Sequence, residues 1–108
     1  MDSISYDDFQ KLDIKIGTIL SVENVEGSEK LLKIMVDFGD EIRQIISGIA
    51  KCYVQEDLIG KQVPVLINLE TKKFLGQESQ GMILMADSDD KPIQLHPLES
   101  VNNGTKVW

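Results

Sequence analysis

Cysteine, histidine and tryptophan each occur once in this 108-residue chain, as Cys52, His96 and Trp108. One cysteine excludes an intrachain disulfide and favours a reducing compartment. One histidine and one cysteine cannot supply the nitrogen and sulfur ligands of a zinc site, so no metal site is expected. Long apolar runs are missing too. None approaches the ~20 residues of a membrane-spanning helix. The N-terminal stretch MDSISYDDF is acidic and lacks the basic and apolar regions of a signal peptide. The expectation is a cytoplasmic protein that does not engage a membrane.

Positive charge is also scarce. Eleven Lys and Arg stand against 18 Asp and Glu, for a net charge of −7. That balance argues against a generic nucleic-acid binder. The distribution qualifies it. Residues 1–50 hold ten acids and five bases, and residues 77–108 hold five acids and two bases. Residues 51–76 hold three acids and four bases, Lys51, Lys61, Lys72 and Lys73, and are the only segment without a negative balance.

What is present is apolar residues at strand spacing. They make up 42% of the chain, enough for a core without staples, and the length suits one domain over residues 1–108. Ser5 with an acid three residues on marks a short N-terminal helix. In DIKIGTILSVE the residues Ile14, Ile16, Leu20 and Val22 alternate as in a half-buried strand, with a bulge or bend expected at Gly17. LLKIMVDF and IRQIIS follow as strands joined by a GDE turn. VQEDLIG reads as one helical turn closed by Gly60. QVPVLINL is a fourth strand whose Pro64, lacking a donor, is expected at an edge or bulge. QGMILMA is a fifth, and the tail holds short extended pieces with an Asn-Gly turn. The pattern predicts an all-β fold, the five-stranded Greek-key barrel called the OB-fold. One short helix lies between strands three and four, and a short C-terminal extension follows.

No catalytic constellation emerges. Gly76-Gln77-Glu78-Ser79-Gln80-Gly81 approximates a nucleophile elbow, but its first spacer is one residue too long and a strand follows where a helix is needed. Asp87 to Lys91 resembles the start of a calcium loop, yet Pro92 and Leu98 occupy the positions of its glycine and final glutamate. The expectation is a polar turn there, and a binding module without cofactor rather than an enzyme.

Four stretches, FQKLDIKIGTILSVE, LLKIMVDFGDEIRQIISGIAKCY, LIGKQVPVLINL and KFLGQESQGMILMA, together with the terminal NNGTKVW, resemble the tRNA-binding domain family. This is the domain appended to many bacterial methionyl-tRNA synthetases and also found free-standing. The resemblance implies the OB-fold, tRNA as partner through shape at its outer elbow, a homodimer, and service in trans to methionyl-tRNA synthetase. Carried over residue by residue, it implies an RNA-contacting set of Lys30, Arg43, Ser47, Lys51, Asn68, Lys72, Lys73, Ser79 and Gln80. Lys72 and Lys73 would meet phosphates. Ser79 and Gln80 either bond a phosphate or 2′-hydroxyl, or cap the hairpin. Arg43 either contacts RNA or pairs with Asp40 or Glu41. Phe74 either stacks on a base or is covered at a dimer contact. Glu70 and Thr71 replace a usual Lys-Pro pair, and Leu75 replaces a usual arginine. These lost cations point to the alternative, a homodimeric export-chaperone-like or protein-binding relative with weak or lost tRNA binding.

Overall fold

A computed structural model describes all 108 residues. The chain opens with helix α1 (Tyr6–Phe9), capped by Ser5 Oγ, which accepts from the backbone N–H of Asp8 at 3.0 Å. Strand β1 (Ile14–Asn24) is the spine of the molecule. Then come β2 (Leu32–Asp37), β3 (Ile42–Ser47), helix α2 (Gln55–Leu58) and β4 (Gln62–Leu66). The remaining elements are short: β5 (Lys72–Phe74), β6 (Gln77–Ser79), β7 (Met82–Ile83), β8 (Met85–Ser88), β9 (Lys91–Gln94) and β10 (Lys106–Val107).

The main sheet is antiparallel, ordered β3-β2-β1-β4-β7, with β10 added against the start of β1. Strand β1 serves two neighbours in turn. Residues 14–18 pair with β4, and residues 18–24 pair with β2. A long strand shared in this way must coil, and the sheet curls towards a barrel. The register shift that eases the coil falls between Ile19 and Ser21, not at Gly17. Gly17 has a packing role instead: a Cβ there would lie 2.5 Å from Val36 Cγ1 and 2.8 Å from the Phe38 ring. The alternating apolar residues explain the core with one change of phase: Leu20, expected on the inward face of β1, is 45% exposed, and Ile19, next to the register shift, is buried in its place. Ile19, Leu32, Ile34, Val36, Ile45, Val63 and Val65 are fully buried inside the curl. Each contributes about 1.5–3 kcal/mol. Leu58 of α2 joins this core, 1% exposed.

Pro64 lies in a central strand rather than at an edge. Its cross-strand partner Ile16 directs its own N–H and C=O away from it, to Thr105 O and from Gly104 N. On its other side the Pro64 carbonyl accepts from Leu84 N at 3.0 Å. The missing donor therefore falls where β7 stops, and the expected fifth strand is broken at Leu84 into β7 and β8. The tail is more structured than a simple extension. The β8–β9 hairpin turns on Asp89 and Asp90, both with positive φ, so the Asp87–Lys91 stretch is the polar turn expected. Asn103 then ties the Asn-Gly turn to Thr18, whose Oγ1 donates to Asn103 Oδ1 at 2.6 Å.

Candidate nucleic-acid interface

Strand alternation sorts β2 and β3 into two faces. Leu32, Ile34 and Val36 point inward, which turns Lys33, Met35 and Asp37 outward with their cross-strand partners Ile46, Gln44 and Ile42. Lys33 stands directly across from Glu23 and pairs with it, Nζ to Oε2 at 3.5 Å. The residues of this outer face escaped the motif-based reading. The signal that locates them is the strict alternation of buried Leu32, Ile34 and Val36 around Lys33 and Met35.

The hairpin β5–β6 folds against the free edge of β3 and closes the curl, largely through side chains. Ser79 is 5% exposed. Its Oγ accepts from Ile46 N at 3.0 Å and donates to Gly81 O at 3.0 Å. Gln80 works from both its backbone and its side chain. Its N–H donates to Gln44 O at 2.8 Å, and its Oε1 accepts from Gln44 N at 3.0 Å. Gln44 Nε2 completes the seam by donating to Glu78 O at 2.8 Å. Arg43 is clamped beside it. Its Nε donates to Glu41 Oε1 at 2.8 Å, and its Nη1 donates to the carbonyls of Ile67 at 2.6 Å and Gln80 at 3.1 Å. Of the two acids offered as its partner, the geometry selects Glu41. Asn68 acts as a latch elsewhere: its Nδ2 donates to Lys11 O at 2.6 Å and its Oδ1 accepts from Asp13 N at 2.8 Å.

Four of the nine residues carried over from the family, Arg43, Asn68, Ser79 and Gln80, thus have side chains engaged in holding the fold. The lysines differ. Lys30, Lys51, Lys72 and Lys73 are exposed, and none belongs to any of the three ion pairs, which are Lys11–Asp8, Lys33–Glu23 and Arg43–Glu41. Lys30 and Lys51 are brought near each other because Lys30 O accepts from Ala50 N at 3.0 Å, while Ser28 Oγ braces the loop from below. Ser47 ends β3 opposite Leu32, half-buried. Lys72 and Lys73 diverge. Lys72 is opposite Ser79 and shares a face with Phe74, whereas Lys73 is opposite Glu78 on the other face of the hairpin.

Lys72 and Phe74 line a cleft of about 120 Å³ with Ile46, Leu69, Glu70, Ser79, Gly81 and Met82. Gly81 makes its wall possible. With φ at +150°, a Cβ there would lie 2.8 Å from Leu66 O. The serine of the near-elbow is thus buried in a structural seam, and His96 is occupied elsewhere, with Nδ1 2.8 Å from Gln62 O.

No helix is long and apolar enough to cross a membrane. The family model described as "Putative tRNA binding domain" matches residues 14–106. The methionine–tRNA ligase of Archaeoglobus fulgidus is 54% identical over 106 residues, covering 98% of this chain but only 16% of the ligase. The chain therefore spans a small part of the ligases it matches. Among solved structures, a MetRS related protein from Pyrococcus horikoshii superposes with a TM-score of 0.95 at 39% identity, covering 100% of both chains. The chaperone CsaA of Bacillus anthracis superposes with a TM-score of 0.90 at 30% identity, over 99% of this chain and 100% of that one. The barrel with its short helix before the fourth strand and the family match over residues 14–106 lead to one assignment: this chain belongs to the tRNA-binding domain family.

Proposed function

We propose that this chain, as one domain, is a non-catalytic module that binds folded tRNA by shape and acts in trans on a methionyl-tRNA synthetase in the cytoplasm. The observation that carries the reading is the family match over residues 14–106 together with four exposed lysines at positions carried over from that family, Lys30, Lys51, Lys72 and Lys73, none of them held in an ion pair. The rigid seam itself supports shape recognition, since backbone and ribose contacts need a fixed surface rather than a base-reading groove. Delivering tRNA to an enzyme raises its local concentration without new chemistry.

A second reading is favoured by a specific observation. Arg43 is spent on Glu41 and two carbonyls, Glu70 has a reversed sign, and CsaA chaperones superpose over nearly the whole chain. In that reading the module binds proteins. The discriminating experiment titrates salt against binding of fluorescent tRNA, with unlabelled single-stranded RNA of equal length as competitor. Three to four neutralised phosphates give a slope of log affinity on log salt of roughly −2 to −3.5. Folded tRNA should outcompete the single strand. A slope near zero overturns the tRNA reading, and absence of binding at low salt leaves the protein-binding one.

A further inference from the structure

The cleft between β3 and the β5–β6 hairpin has features that binding of phosphate and ribose does not use. Its walls are apolar side chains left open to solvent in an otherwise polar neighbourhood: Leu69 and Phe74 are each 38% exposed and Met82 is 46% exposed. Its floor is Ile46, and its rim carries one carboxylate, Glu70, and one ammonium, Lys72. Glu70 belongs to no ion pair and makes no side-chain hydrogen bond within the chain. Exposed apolar walls with an unengaged carboxylate acceptor at the mouth suit a flat ring that carries donors on one edge.

The geometry points to this cleft as a pocket for one unstacked nucleobase, and to guanine as the base it takes. The inference rests on the tRNA-binding reading and adds a base preference to it. Phe74 offers a ring face for stacking, and Met82 a polarisable thioether. Glu70 sets the choice. A carboxylate has two acceptor oxygens side by side and no donor. Guanine alone among the four bases presents two adjacent donors, N1–H and N2–H, on its Watson–Crick edge. Adenine and cytosine would place a ring-nitrogen lone pair against one carboxylate oxygen, and uracil would place a carbonyl there. Lys72, at the same rim, meets either the guanine O6 or the phosphate of that nucleotide.

The other candidate occupant is an apolar side chain of a peptide, and the seam argues against it. An extended peptide gains most of its affinity by adding a strand to an open edge. The β3 edge beside the cleft is already satisfied. Gln44 N, Gln44 O and Ile46 N bond to Gln80 Oε1, Gln80 N and Ser79 Oγ. A base needs no such edge.

The test uses four fluorescent hexauridine-based RNAs carrying G, A, C or U at one central position, alongside fluorescent tRNA. The native chain should bind the G hexamer at least five-fold more tightly than the others. Glu70→Gln, which keeps shape and removes one acceptor, should reduce that preference to near unity while leaving thermal unfolding unchanged. Phe74→Ala should weaken every hexamer roughly ten-fold, the scale of one lost base–aromatic stack. tRNA bound with the salt dependence above, but equal affinities for the four hexamers, overturns the guanine pocket alone. Failure of both tRNA and hexamers to bind overturns the parent reading. A guanine preference that survives Glu70→Gln also overturns the assignment. So does retention of a Leu/Phe-rich peptide, lost in Phe74→Ala, with no hexamer bound.

Discussion

Ser79 Oγ lies 3.0 Å from the backbone nitrogen of Ile46, a residue 33 positions earlier, and no backbone carbonyl takes its place. One hydroxyl thereby substitutes for a ladder bond between the third strand and the closing hairpin. It satisfies a buried N–H and also gives its own proton to the Gly81 carbonyl. The residue that most resembled a ligand-binding or nucleophilic serine is a joint of the barrel.

Ser79→Ala should therefore act on stability. It leaves the Ile46 N–H without its side-chain partner, at a cost of about 1–3 kcal/mol. The midpoint of thermal or urea unfolding should fall, with tRNA affinity little changed below the transition. An unchanged melting temperature with weakened tRNA binding would return Ser79 to the ligand-contacting set.

Lys72 and Lys73 should separate when changed singly. Lys72 shares the cleft face with Phe74, and Lys73 lies opposite Glu78 on the other side. Lys72→Ala should lower tRNA affinity and flatten the salt slope by about 0.7–0.9, the share of one phosphate. Lys73→Ala should do less of both. Neither should move the unfolding midpoint, since exposed substitutions away from packing stay within about 0.5 kcal/mol. Equal effects from the two would show that RNA approaches from both faces.

Leu75 turns the β5–β6 hairpin with φ at +51°, followed by Gly76 at +80°, the two-residue turn with both φ values positive. A leucine there is strained where asparagine is accommodated. Leu75→Asn should raise urea stability by about 0.5–1 kcal/mol. A lower midpoint would mean that the exposed Leu75 side chain contributes packing worth more than the strain.

Homodimer formation is expected from the face formed by α1 and β10. Tyr6, Phe9, Leu12, Val107 and Trp108 line one apolar cleft there, and Trp108 is 84% exposed. A second copy related by two-fold symmetry would cover it. Sedimentation at micromolar concentration should give about twice 12.1 kDa, and the single tryptophan should emit at shorter wavelength than in a diluted sample. Monomer mass with solvent-exposed emission would exclude this face as a dimer contact.

Much of the architecture was written in local patterns. Alternation located β1 to β4, although within β1 it assigned Leu20 inward where Ile19 is the buried residue; Ser5 announced α1, and Gly60 closed the turn of α2, because caps and most inward-facing apolar residues are decided by near neighbours. The family motifs likewise pointed to the family to which the chain belongs. What each residue does was decided only by the fold. Arg43, Asn68, Ser79 and Gln80 bond to groups 24 to 57 positions away, and no spacing along the chain reveals such partners. Pro64 could enter a central strand because β7, assembled from a distant segment, ends beside it. Lys72 and Lys73, adjacent in sequence, lie on opposite faces by strand alternation, but only the fold shows that the face of Lys72 is the one that lines the cleft. Composition and periodicity specify most of the side chains that go inward. Which polar groups remain free for a ligand depends on the barrel closing first, since closure takes the hydrogen-bond partners it needs.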